Sequence, residues 1–152
     1  MNHLRKDSKT CCFFGDVLIK KISHCYELLL ALIDEMIAKK YRRFLLANDS
    51  EFGAMAIEVF EIFKDKYSQI ERVLVQSEKF YDLYYVKYFE RYFDSLLFKK
   101  RKLTTFEQYK KMIDKSSICV VYFDENAPST DIKKAVQYAK EHGKKVLNLH
   151  FK

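Results

Sequence analysis

Short apolar runs alternate with longer helical stripes along most of the chain, and this alternation limits the possible folds more than any other feature. The runs are Thr10–Phe14 (TCCFF), Arg43–Ala47 (RFLLA), Arg72–Gln76 (RVLVQ), Ile118–Phe123 (ICVVYF) and Val146–Leu149 (VLNL). They are apolar throughout rather than every second residue, as expected of strands buried on both faces. Between them the apolar residues follow helical spacing. One stripe runs from Ser23 to about Tyr41, with Leu29, Ile33, Met36 and Ile37 inward and Leu28 and Leu32 widening the face. A second, from Glu51 to about Tyr67, turns Met55, Val59, Phe60 and Phe63 inward. A third starts at Thr105 and runs to about Ile113. The last, Thr130 to His142, buries Ile132, Ala135, Val136 and Ala139 and stops at Gly143. Ser23 and Thr105 can cap helices, and Asn48, Asp49 and Ser50 form a loop with N-cap chemistry.

Strand–helix alternation of this kind predicts an α/β, Rossmann-like, doubly wound sheet of five or six mainly parallel strands, with helices on both faces. Cys11–Phe14 and Ile118–Phe123 are the expected central strands. The length, 152 residues, suits one domain. Residues 1–9 read as a basic tail and 10–152 as a single domain.

Lys79 to Phe93 departs from the pattern. Tyr81, Tyr84, Tyr85, Tyr88 and Tyr92 fall on one helical face, and Phe80, Phe89 and Phe93 broaden it beyond one sheet contact. This surplus predicts a homo-oligomer that uses the segment as a subunit contact. Ser95–Phe98 is the candidate fourth strand.

Composition excludes several classes. Hydrophobic residues are 49% and charged residues 32% of the chain, enough for a core inside a solvated surface. Apolar runs are far shorter than the about 20 residues that cross a bilayer, so no membrane association is expected and the reading is cytoplasmic. Cys11, Cys12, Cys25 and Cys119 show no CxxC or zinc spacing and read as buried, reduced thiols. His24 and Cys25 are adjacent on a helix and point apart, so they are not a ligand pair. No metal site and no cofactor is implied. The net charge of +7 favours an anionic partner, although many lysines stand at helix ends, where they are ordinary.

In a doubly wound sheet, ligands lie outside the carboxyl ends of the strands. That points to four loops, carrying Gly15 and Asp16; Asn48, Asp49 and Ser50; Ser77; and Asp124 to Thr130 with Ser129. Two of them lead into helix starts, whose N–H groups favour anions, and Lys133 adds charge one turn into the last helix. Capping by Ser129 or Thr130 alone explains those hydroxyls equally well.

These residues carry a resemblance. CCFFG followed by Asp16-Val17 resembles the CCFFGHR opening of the YpsA-like branch of the SLOG superfamily, which joins DprA/Smf to the "lonely guy" phosphoribohydrolases. RRFLLANDSEFGAMAIEVF is similar to its strand, glycine-rich loop and helix. KKMIDKSS resembles a helix end of the branch, and ICVVYFDENAPSTDIKKAVQYAKEHGKKVLNL its closing strand–loop–helix–strand. The likeness runs in order over nearly the whole chain, with Glu78 to Arg101 matching in outline. It implies a nucleotide-type binding site. It also exposes departures. Asp16-Val17 stands for His-Arg, Ala47-Asn48 for Gly-Gly, Gly53 for Asp, Gln108-Tyr109 for Arg-Asn, and Ala127-Pro128-Ser129-Thr130 for a Gly-Gly-Thr turn. Where the phosphoribohydrolases carry a catalytic glutamate, this chain has Lys133.

The expectation is therefore a non-catalytic binder or sensor of a nucleotide-derived, phosphate-bearing small molecule, with no catalytic residue assigned. The alternatives are a degenerate, self-assembling interaction protein and a nucleic-acid-binding module of DprA type.

Overall fold

The computed structural model describes residues 9–16, 18–47, 50–66, 69–75, 91–93, 105–126 and 130–151. In chain order the elements are β1 (Thr10–Gly15), α1 (Ile22–Ala38), β2 (Arg43–Ala47), α2 (Glu51–Lys66), β3 (Glu71–Val75), β4 (Arg91–Phe93), α3 (Thr105–Asp114), β5 (Ile118–Tyr122), α4 (Asp131–Glu141) and β6 (Lys145–Asn148). A 3-10 turn, Leu149–Phe151, follows β6.

The strands form one six-stranded sheet in the order β4-β3-β2-β1-β5-β6, and every pair is parallel. β1 and β5 are adjacent at its centre, in register from Cys11 opposite Ile118 to Gly15 opposite Tyr122. Side chains alternate across it. Cys11, Phe13, Phe44, Leu46 and Val120 meet α1 and α2 on one face. Cys12, Phe14, Leu45, Cys119 and Val121 meet α3 and α4 on the other. Two buried layers explain why these strands lack polar alternation. Phe13, Phe44 and Phe60 interlock on the first face, with Phe13 edge-on to Phe60 at 5.5 Å. Tyr109 stacks on Phe14 at 4.8 Å on the second.

All the expected inward residues of α1, α2 and α4 are buried. The four cysteines are buried and free. Burial pushes the Cys11 and Cys12 thiols up, and raises Cys25 to about 11. These thiols are poor nucleophiles.

Three sequence expectations change. Ser23 does not cap α1: the helix begins at Ile22 after Lys21, without a side-chain cap. Its entry is fixed instead by tertiary bonds to the preceding loop, Ile19 N–H to Glu51 Oε1 (2.8 Å) and Lys20 N–H to the Tyr122 hydroxyl (3.2 Å). The helix also stops at Ala38, short of Tyr41. Finally, Tyr92 and Phe93 belong to a strand and not to the end of a tyrosine helix. Val73 pairs with Arg91 and Val75 with Phe93, so the open edge of β3 overrides local helical spacing. The remainder of that expected helix, 79–90, and the expected strand Ser95–Phe98 lie outside the described residues.

Helices α1 and α4 end alike. Tyr41 N–H reaches Met36 O (3.0 Å) past Lys40 at φ 75°, and Lys144 N–H reaches Ala139 O (3.0 Å) past Gly143 at φ 74°. Both are Schellman closures, one with a lysine in the left-handed position that glycine fills more readily.

Among the described residues, no helix is long and apolar enough to cross a membrane.

Candidate ligand site at the carboxyl edge

Chain direction across the sheet reverses beside β1: β2, β3 and β4 are laid down on one side of it, β5 and β6 on the other. The loops leaving β1 and β5 therefore lead to opposite sides of this point, the place where doubly wound sheets bind ligands. Gly15 and Asp16 end β1 at this point, opposite Tyr122, Phe123 and Asp124 from β5.

The two loops are bonded to each other. Asp16 N–H donates to Tyr122 O at 2.8 Å, and Asp124 N–H donates to Asp16 Oδ2 at 3.2 Å. Asp16 is half-buried. Burial raises its carboxyl above the ordinary range, while the Asp124 N–H and the His150 ring pull it back down and the Asp124 carboxylate pushes it up. Lys20 Nζ stands 3.8 Å from Asp124 Oδ2. His150 meets the Tyr122 ring edge-on at 5.2 Å. Asn148 closes the far side: its amide accepts from Phe123 N–H (3.2 Å) and donates to Phe123 O (3.0 Å).

Gly15 is required by packing. A Cβ here would lie 2.9 Å from both Phe52 Cδ2 and Tyr122 O. Phe52 is fully buried and stacks on Tyr122 at 6.0 Å, so the first turn of α2 lies directly over the end of β1. Gly53 is tighter still: its Cβ would sit 1.9 Å from Ala47 O. This position needs the one residue without a side chain.

The helix starts are used internally as well. Ser50 Oγ accepts from Gly53 N–H (2.9 Å), and Thr130 Oγ1 accepts from Lys133 N–H (3.2 Å). Both hydroxyls thus act as caps. The amide of Ile19, in the loop that follows β1, is held by the Glu51 carboxylate. An internal carboxylate therefore satisfies this loop amide.

The structure brings Gly15, Asp16 and Asp124 into direct contact. It joins Lys133 to the Asp124 loop, with Nζ 3.5 Å from Glu125 O. Ser50 lies beside the end of β2. Asn48, Asp49, Ser77 and Ser129 lie outside the described residues. Gln108 and Tyr109 are core residues, exposed by 5% and 2%. Lys20, Glu51, Phe52, Tyr122, Asn148 and His150 were not legible as site residues. Phe52 had a signal: extending the stripe of α2 backwards by helical spacing from Met55 and Ala56 reaches it. No group of three or more His, Cys, Asp or Glu among the described residues is arranged to hold a metal ion.

No protein-family model matches the sequence, and no curated protein is similar to it.

Proposed function

We propose that the chain is a non-catalytic binder or sensor of a nucleotide-derived, phosphate-bearing ligand, on a SLOG-like framework. The observation that carries this reading is the reversal of strand order at β1 and β5, which brings Asp16 and Asp124 together in the crevice. Their carboxylate oxygens suit sugar hydroxyls, which donate hydrogen bonds. The acidic pair is a poor neighbour for phosphate. The phosphate belongs at the start of α4, where first-turn N–H groups and Lys133 offer positive potential beyond the Thr130 cap. Lys133 stands where the resembled phosphoribohydrolases have glutamate. An ammonium accepts no proton, so the general-base step of N-glycoside cleavage has no agent at this position.

A thermal-shift screen with nucleotides, dinucleotides and ADP-ribose derivatives tests the reading. A ligand at about 100 times its Kd adds about 2.7 kcal/mol of stability, a readily visible rise in midpoint. With a hit in hand, Thr130→Glu places a carboxylate where phosphate charge should sit. Unit charges about 4 Å apart repel by about 4 kcal/mol at an effective dielectric of 20, so calorimetry should find no measurable binding to a folded variant. A folded Thr130→Glu protein that binds as tightly as the parent places the ligand elsewhere.

A further inference from the structure

At the opposite edge of the sheet, where the strands begin, an open groove of about 510 Å³ lies between α1 and the first residues of β5 and β6. Its origin is in the layering. On this face α2 packs over β1 and β2, and α1 is the outermost described helix on the β6 side. The strand starts beyond it, Ile118 and Leu147, stay half-buried. Polarity is graded along the groove. Leu32, Met36, Ile118 and Leu147 give it aliphatic walls. Lys39, Ser117 and Lys145 mark the end where α1 stops and the two strands start. The wall from Leu32 to Lys39 is about 10 Å long at 1.5 Å per helical residue. That is the reach of an extended aliphatic chain of roughly eight carbons.

Most polar groups at that end are engaged within the chain. Lys39 lies 3.0 Å from Glu35, and the Ser117 hydroxyl donates to Thr10 O (3.3 Å). The Schellman closure of α1 sets Tyr41 beside Met36, and the carbonyls of Glu35, Met36 and Ile37 accept from the N–H groups of Lys39, Tyr41 and Lys40. Lys9 closes this corner: its ammonium donates to Lys39 O (3.2 Å) and lies 5.1 Å from the centre of the Tyr41 ring. Lys145 differs. Its side chain is exposed at the rim of the groove, and none of the described carboxylates pairs with it.

We propose that this groove binds a free fatty-acid anion of roughly eight to ten carbons, with its chain along Leu32, Met36, Ile118 and Leu147 and its carboxylate at Lys145. An apolar trough with one ammonium at one end is complementary to a molecule that is apolar along its length and anionic at its tip. A symmetric contact with a second copy would instead bring two such cationic ends into one interface. The groove lies at the edge opposite Asp16 and Asp124, and the proposal does not depend on what binds there.

Calorimetry on the full chain with hexanoate, octanoate and decanoate, each below its micelle concentration, tests it. The Kd should fall by about two- to fourfold per added methylene, the upper figure being that of a fully buried one. Decylamine, with the opposite head charge, should bind at least about tenfold more weakly than decanoate. Lys145→Glu should invert that order, weakening decanoate by about tenfold and tightening decylamine. Lys140→Glu makes the same change in net charge on α4, across the sheet, and should leave decanoate within about threefold of the parent. Leu32→Gln should weaken both amphiphiles by about fivefold. Should Leu32→Gln fail to fold, the chain-length series and the head-charge inversion still decide. Absent decanoate binding, a Kd independent of chain length, or equal losses in Lys145→Glu and Lys140→Glu would overturn the proposal. So would a dimer, seen by light scattering, whose formation excludes decanoate, because a second copy would then be the occupant.

Discussion

At the carboxyl edge of the sheet the loops close on one another, while at the amino edge a groove stays open between α1 and the starts of β5 and β6. Phe52 lies on Gly15, Gly53 lies on Ala47 O, and Asp16 accepts from Asp124 N–H, so the carboxyl edge is filled by the chain's own groups. Its charged residues include Asp16, Glu51, Asp124, Glu125 and Asp131, with Lys20 and Lys133 beside them. The amino edge carries Lys9, Lys40, Arg42, Lys144 and Lys145, with apolar floor beside Tyr41. Helix starts meet one edge and helix ends the other, and their dipoles favour acids at the first and bases at the second. The difference teaches that a doubly wound sheet does not guarantee an open ligand crevice. Gly15 and Gly53 stand at this edge, yet they receive a phenylalanine and a carbonyl from the protein itself.

The comparison can be broken at its most heavily packed point. Phe52→Ala should destabilise the protein by about 3–5 kcal/mol, the range for a fully buried phenylalanine, as measured by urea unfolding. It should also open a void over Gly15. A loss under about 1 kcal/mol would mean that the crevice is not closed by this ring.

A smaller effect tests the closure that shapes the groove. Lys40→Gly should stabilise the protein by about 0.5–1 kcal/mol, because a left-handed conformation penalises a side chain by about 1–2 kcal/mol and the greater unfolded freedom of glycine offsets part of that. A rise in the thermal midpoint checks it. A lower midpoint would show that the Lys40 side chain contributes more than its backbone strain removes.

The mildest test concerns charge at the carboxyl edge. Because burial raises the Asp16 carboxyl, its contribution to stability is complete below the ordinary value of 3.8 and is lost as pH rises through the folded value. Asp16→Asn keeps an oxygen acceptor for Asp124 N–H and removes the charge. The variant should be more stable than the parent at neutral pH, with the gap closing as pH falls towards 4 and below. Thermal melts across that range check it, and a gap that widens on acidification would contradict the reading.

The fold was legible in the sequence because its signal is local. Runs such as CCFF and ICVV are apolar on both faces, and only a covered parallel strand hides both. The spacing of Leu29, Ile33, Met36 and Ile37 fixed which side of α1 turns inward, and the capping segments Asn48–Ser50 and Ser129–Thr130 were visible, although only the structure selected Ser50 and Thr130 as the caps. The site was legible only in part. Gly15, Asp16 and Asp124 follow from the rule that loops meet beyond the carboxyl ends of adjacent strands.

Residues 1–152 alone determined the order of elements, the two-sided core and the candidate loops, since periodicity and capping act within a few residues of chain. Only the tertiary structure decided how those elements use one another. It set Glu51 on the amide of Ile19, 32 residues away, and the Tyr122 hydroxyl on Lys20, 102 residues away. It turned Tyr92 from a helical position to a strand by offering the open edge of β3. It also set Lys9 over the ring of Tyr41 and Lys145 at the rim of the groove beside it. Contacts at such separations depend on which strands become neighbours, and no local pattern of side chains encodes that.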